Sequence, residues 1–281
     1  MSSCIGGYRV LAMTCYYLGD FEAARGHARR GAQLWRSAGR PSPVEEVVAP
    51  AVSCLCYQAL SEWHLEETAF CRMTMAEALS LARELKDMHG LAVALWHAML
   101  LGHYEGNPAE VERLASELIE LCTRQHFAQW LTGGKLCRGW ARSAAGDSAG
   151  GFLWIEDAFR DYGATGSMMY LPYGLGLKAE VLHLAGRTPE ALGAIREAAA
   201  VVARRGERWW SAELHRLRGV FLAAIGANET EIEACFCAAI RTAKQQKSIS
   251  LMKRAEASLA EYRRQRASGS GGRGFRLLSN S

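Results

Sequence analysis

Four glycines recur at an identical spacing of 40 residues: Gly106, Gly146, Gly186 and Gly226. Each closes an apolar stretch of helix-forming residues and opens a short polar turn. The turns read Gly106-Asn107-Pro108, Gly146-Asp147-Ser148, Gly186-Arg187-Thr188-Pro189 and Gly226-Ala227-Asn228. A fixed period of this length marks a stacked repeat, whose units bury their apolar faces against one another. Stacks of this kind present extended surfaces to partners.

Other positions keep the same beat. Seven residues before each glycine stand Met99, Gly139, Ala179 and Gly219; twelve after stand Leu118, Ala158, Ala198 and Ala238. Three of four are small in each set, as two helices of a close-packed hairpin require. Gly19-Asp20 repeats the pattern earlier, out of phase, with Ala12 and Gly31 in the small slots. A proline-bearing insertion, Gly39-Arg40-Pro41-Ser42-Pro43, accounts for the lost phase.

The long segments are rich in Ala, Leu, Glu and Arg, all good helix formers, and strictly alternating Val, Ile and Thr runs are missing. The expected fold is all-α: a right-handed α-solenoid of about six helix hairpins and a closing helix. The pairs fall near 5–18/20–37, 46–63/67–86, 88–104/108–124, 127–145/149–163, 168–185/188–205 and 208–225/229–246. The last helix spans about 249–265. Residues 1–266 are expected to form the repeat domain, and 267–281, rich in Gly, Ser and Arg, a disordered tail. Tyr8 to Leu18 already reads as the first helix of a repeat without a polar cap. It is expected either to be covered by something N-terminal or to pair with another copy.

Nine cysteines, an odd number lying mostly in apolar helical stretches, fit free thiols in a reducing cytoplasm. No apolar run is long enough to span a membrane, so no membrane partner is expected. The net charge of +4 conceals a gradient. Residues 241–281 hold ten Lys/Arg against two acids, +8, which leaves −4 for residues 1–240. A solvated last helix explains this end; nucleic-acid binding there is the alternative.

The repeat positions resemble the tetratricopeptide repeat (TPR), with its small eighth residue, Gly-Asp/Asn turn and two further small slots. Ala12, Gly19-Asp20-Phe21, Ala24 and Gly31 match those slots. So do Gly139, Gly146-Asp147, Gly151 and Ala158, and Ala179, Gly186, Ala191 and Ala198. The period of 40 against 34 is a departure and implies longer helices. The runs Gly206-Glu207-Arg208-Trp209-Trp210 through Gly219 and Glu233-Ala234-Cys235-Phe236-Cys237 are similar to the C-terminal repeat region of large bacterial regulators. Those regulators join an AAA-type or STAND-type ATPase to long-period TPR arrays, often behind a class III adenylate/guanylate cyclase domain. The resemblance implies a non-catalytic scaffold or sensor arm that binds a protein or peptide. An N-terminal ATPase/cyclase module, absent from this chain, would be a further partner. The match fades after about Glu261.

Several motifs suggest chemistry and lack its context. Gly146-Asp147-Ser148-Ala149-Gly150 spells the nucleophile elbow, but a helix, not a strand, is expected before Ser148. Gly133-Gly134-Lys135 lacks the first glycine and the Ser/Thr of a phosphate loop, which fall at Gln129 and Leu136. The pairs Cys54/Cys56 and Cys235/Cys237 point to opposite sides of a helix. Cys122 and His126 share a face but lack further ligands. No catalytic residue, cofactor or metal is therefore expected, and the chain is not expected to be an enzyme.

In a TPR stack the first helix of each pair lines the concave face. Its exposed slots, about 13, 10, 6 and 3 residues before the glycine, give Trp96, His103, Trp140, Tyr173, Glu180, His183, Glu213 and Arg216. This mixed aromatic and charged strip suits an extended or helical peptide, with aromatics supplying area and charges setting register. Small-molecule sensing inside the solenoid stays open beside it.

Overall fold

A computed structural model describes residues 2–37, 49–165 and 169–268. Among these residues the chain is helical throughout, in the order α1 (Ser2–Leu18), α2 (Phe21–Ser37), α3 (Pro50–His64), α4 (Thr68–Glu84), α5 (Met88–Tyr104), α6 (Pro108–Gln125) and α7 (Ala128–Ala144). There follow α8 (Ser148–Thr165), α9 (Leu171–Leu184), α10 (Thr188–Arg205), α11 (Ser211–Ala224), α12 (Glu229–Gln245) and α13 (Ile249–Ala267). These are the expected hairpins and closing helix, within a few residues at each end. The Gly39–Pro43 insertion and residues 269–281 of the tail lie outside the described residues.

The recurring glycines end the first helix of each pair in the left-handed region, with φ from 65° at Gly106 to 105° at Gly146. Their turns satisfy the orphan carbonyls of the helix end. The Gly106 N–H donates to the His103 carbonyl (3.0 Å) and the Asn107 N–H to the Gly102 carbonyl (2.9 Å). The Gly19, Gly146, Gly186 and Gly226 turns repeat both bonds. At most of these turns a side chain then caps the next helix: Asn107 accepts from the Glu110 N–H, and Asp147 from the Gly150 N–H, whereas Arg187 before α10 makes no such bond.

The α3–α4 turn completes the comb. Glu66 stands 40 residues before Gly106 and takes the same left-handed conformation, φ 65°. Its N–H bonds the Trp63 carbonyl and that of Glu67 the Glu62 carbonyl. Ala59 and Ala78, seven before and twelve after, are fully buried. This hairpin is thus in phase with those that follow, and the missing signal is one glycine.

The chain divides into two compact units, Met1–Lys135 and Leu136–Ser281, with the boundary inside α7. In the first, α1/α2, α3/α4 and α5/α6 stack through α1 against α3 and α3 against α5. In the second, α11 packs against both α9 and α13. Small residues set the approach. A Cβ on Gly219 would sit 2.9 Å from the Phe236 ring, and one on Gly139 2.8 Å from the Gly151 carbonyl.

The two helices of a pair differ in kind. In α6 the buried residues Val111, Leu114, Ala115, Leu118, Leu121 and Cys122 form one stripe, with charge on the rest. In α5 every residue from Gly90 to Tyr104 is buried. Second helices are amphipathic, whereas the first helices α3, α5, α9 and α11 are enclosed almost all round.

The turn geometry makes a stability prediction. Glu66→Gly relieves left-handed strain at a non-glycine site; against the extra chain entropy of glycine the net gain is roughly 0.5 kcal/mol. Gly106→Ala imposes that strain and costs about 1–2 kcal/mol. Urea unfolding midpoints check the order; a Glu66→Gly protein less stable than the parent contradicts it.

Candidate functional site

The strip expected on an exposed concave face is buried. Trp96, His103, Trp140, Tyr173, Glu180, Glu213 and Arg216 are each 3% exposed or less, and His183 is half-buried. For Trp96 and His103 the reason is the make-up of α5. The stretch 88–104 contains no Asp, Glu, Lys or Arg, so α5 has no face that prefers water.

Four of these eight side chains meet in the second unit. The Trp140 indole N–H, from α7, donates to the Glu180 carboxylate on α9 at 3.0 Å. One turn apart on α11, Arg216 grips Glu213 through two bonds of 2.9 and 2.6 Å, a bidentate charge-assisted pair. Its remaining nitrogen donates to the Ser258 hydroxyl on α13, 3.2 Å away. Arg254, also on α13, adds a second cation 3.5 Å from Glu213. Two carboxylates and two guanidiniums thus balance, with the Glu180 charge acting on both arginines. Burial pulls the Arg254 pKa down, partly opposed by Glu213.

Tyr173 lies in an aromatic layer, stacked on Trp209 with ring centres 5.2 Å apart and edge-on to Trp210 at 5.4 Å. It also hydrogen-bonds Cys137. His183 bonds Thr188 at 3.0 Å and packs on Phe221. Trp96 and His103 belong to the first unit. A Cβ on Gly133 would strike the Trp96 ring at 2.7 Å, so that glycine is a packing residue. Beside them a cluster joins three first helices: the Tyr16 hydroxyl is 2.9 Å from that of Tyr104 and 3.5 Å from His64, whose ring stacks on Phe21. Glu62, only 1% exposed, is held by Arg29, Gln58 and Thr74.

Sequence reading missed Arg254 and Ser258. The signal was present: carrying the repeat register one helix further, past one extra residue at the Lys247 turn, places Arg254 under Glu213. Trp209 and Trp210 were in view as part of a distinctive run, but not as the wall behind Tyr173.

The chemistry-suggesting motifs resolve into packing and turns. Ser148 opens α8 after a helix and turn, and its hydroxyl donates to the Leu184 carbonyl at 3.3 Å. Gly133-Gly134-Lys135 lie inside α7, where a Cβ on Gly134 would meet Ile119 at 2.9 Å. Cys54 and Cys56 are both buried, while Cys235 is buried and Cys237 exposed. Burial pushes the Cys54, Cys71 and Cys122 thiols up to about 12, so none is a ready nucleophile. No group of three or more His, Cys, Asp or Glu suited to a metal occurs among the described residues.

Several cations of the basic C-terminal end are paired. Arg263 bonds Glu233, while Arg264 contacts Glu261 and Arg266 contacts Glu229. Arg254 is spent inside the cluster, and Arg273 and Arg276 lie outside the described residues. No described helix is long and apolar enough to cross a membrane.

No protein-family model matches the chain. In sequence it is similar to an uncharacterized protein of Rhizobium meliloti (strain 1021), 25% identical over 204 residues. That match takes in 72% of this chain but 20% of the relative, so the chain spans only a fifth of that protein's length. Two solved structures share the architecture. The apo form of RapI aligns with a TM-score of 0.56 at 13% identity, covering 94% of this chain and 99% of that one. PlcR of Bacillus thuringiensis, solved in complex with the peptide PapR7 and DNA, aligns at 0.53 and 13%, covering 86% and 98%. At such identity the likeness speaks to fold alone: the chain has an all-α, TPR-like helical-repeat fold.

Buried histidines set the pH response. His97 is 1% exposed and its Nδ1 lies 2.7 Å from the Val93 carbonyl; burial pulls its pKa down to about 4, partly opposed by that bond. Unfolded histidine titrates near 6.5, so between pH 6.5 and 4 the unfolded chain takes a proton that the folded one refuses. Stability therefore falls as pH drops through that window, by about 3 kcal/mol for His97 alone. His89, His183 and His215 are lowered by burial too and act with the same sign. Denaturant midpoints from pH 7 to 4.5 should fall less steeply in His97→Gln than in the parent. An equal slope contradicts the assignment.

Proposed function

We propose that the chain is a non-catalytic partner-binding arm of a bacterial signalling ATPase or cyclase system, taking a peptide or protein on the inner faces of its first helices. The observation that carries this reading is the buried cluster of Trp140, Glu180, Glu213, Arg216 and Arg254. Buried ion pairs contribute little net stability, and apolar residues of equal volume often do better. Here one cluster draws its members from α7, α9, α11 and α13, at the slots where a TPR-like stack meets its ligand.

In this reading the pairs that now satisfy one another are exchanged for pairs with the partner when the first helices part. The partner's charges set register, and Tyr173 with Trp209 offers aromatic area. A ligand that prefers the parted state shifts the population toward it. PlcR, whose fold this chain shares, was solved with a peptide, which makes a peptide the first partner to seek. The match to one fifth of a much longer Rhizobium meliloti protein supports the further reading that the arm works beside other modules.

A random-peptide library displayed on phage and panned against the purified chain tests this. The expected result is one family of mutually competing peptides whose binding alters amide exchange in α9 and α11. Peptides that alter only α8, α10 and α12, or no enrichment at all, contradict the inner-face reading. Sequencing the DNA upstream of Met1 tests the arm separately. A P-loop ATPase or cyclase reading frame in phase is expected, and an adjoining promoter in its place is contrary.

A further inference from the structure

We propose that a cavity between α10 and α11 is a second binding site, for a small amphipathic carboxylate such as a medium-chain aliphatic acid. It lies within the second unit and is separate from the inner-face cluster. Its volume is about 310 Å³, at the low end of small-molecule sites. The floor is apolar: Ile195 and Val202 come from α10 and Leu214 from α11. The rim carries two guanidiniums, Arg196 and Arg218, with His215 between them.

The charge at this rim is mostly unspent. Arg196 is exposed and makes no ion pair among the described residues. Arg218 reaches Glu231 at 2.8 Å, with both side chains more than 40% exposed, an arrangement worth little. Burial, and after it the guanidiniums of Arg218 and Arg241, hold the His215 pKa down. No carboxylate lines the cavity.

The fourth wall points the same way. Ser211 lines the cavity as the first residue of α11, and its buried hydroxyl has no hydrogen-bond partner among the described residues. Trp210, at the N-cap, makes no side-chain capping bond. The start of α11 thus has no side-chain cap, and its first N–H is answered by the Arg208 carbonyl alone. An apolar floor asks for a hydrocarbon body, and a rim of guanidiniums beside an uncapped helix start asks for one anionic head. A cation or a neutral alcohol of the same length satisfies only the floor.

Isothermal titration of the full chain with octanoate, octylamine and octanol tests the site. Octanoate is expected to bind saturably, one per chain, and at least about fivefold more tightly than either analogue. Arg196→Glu should weaken octanoate roughly tenfold, the scale of one charge-assisted contact. Ala199→Phe, which fills the cavity from an exposed position on α10, should abolish binding. Both positions face outward, so the circular dichroism spectrum should match that of the parent. No saturable octanoate binding, equal binding of octanol, or full binding by the two variants overturns the proposal.

Discussion

One left-handed turn residue every 40 residues is the constraint on which the rest depends. It stops each first helix at the same place and sends the second back at the same angle. Residues one period apart therefore meet. Trp140 and Glu180, 40 apart in sequence, do so in the second unit. Offsets of 41 join His89 to Trp130, and Glu213 to Arg254 across the turn with its extra residue. A side chain's partner is thereby set by counting along the chain, and contacts of high sequence separation arise from local turn chemistry.

That register also decides where charge is expensive. On the second helices ion pairs are exposed, such as Arg113 with Glu110 or Arg187 with Glu190, and each contributes little. On the first helices α3, α9 and α11 three carboxylates are enclosed, and each is answered. Glu62 is answered by Arg29, Gln58 and Thr74; Glu213 by Arg216 and Arg254; Glu180 by Trp140. Removing one member leaves its neighbour charged and dry, at a cost of several kcal/mol.

The hairpins were legible from the comb, because glycine is the residue that takes a left-handed turn most cheaply. The register broke for the reader at Glu66, where a glutamate takes the same conformation at some strain. The strip expected at the surface of the first helices is, for seven of its eight residues, buried. For Trp96 and His103 the uncharged stretch 88–104 was the overlooked signal, since a helix without a polar face must be covered on all sides. The cavity between α10 and α11 had no sequence signal. It arises from where two helix surfaces fail to meet, and Arg196, His215 and Arg218 converge only once both helices are in place.

A double-mutant cycle on Trp140 and Glu180 tests the inner-face register most directly. Trp140→Phe and Glu180→Gln are made singly and together, and unfolding free energies are measured for all four proteins. The account predicts a coupling of about 1–2 kcal/mol between side chains 40 residues apart, as for a buried hydrogen bond to a charged group. Additive effects would mean that α7 and α9 do not meet in this register, and the buried polar cluster would lose its basis.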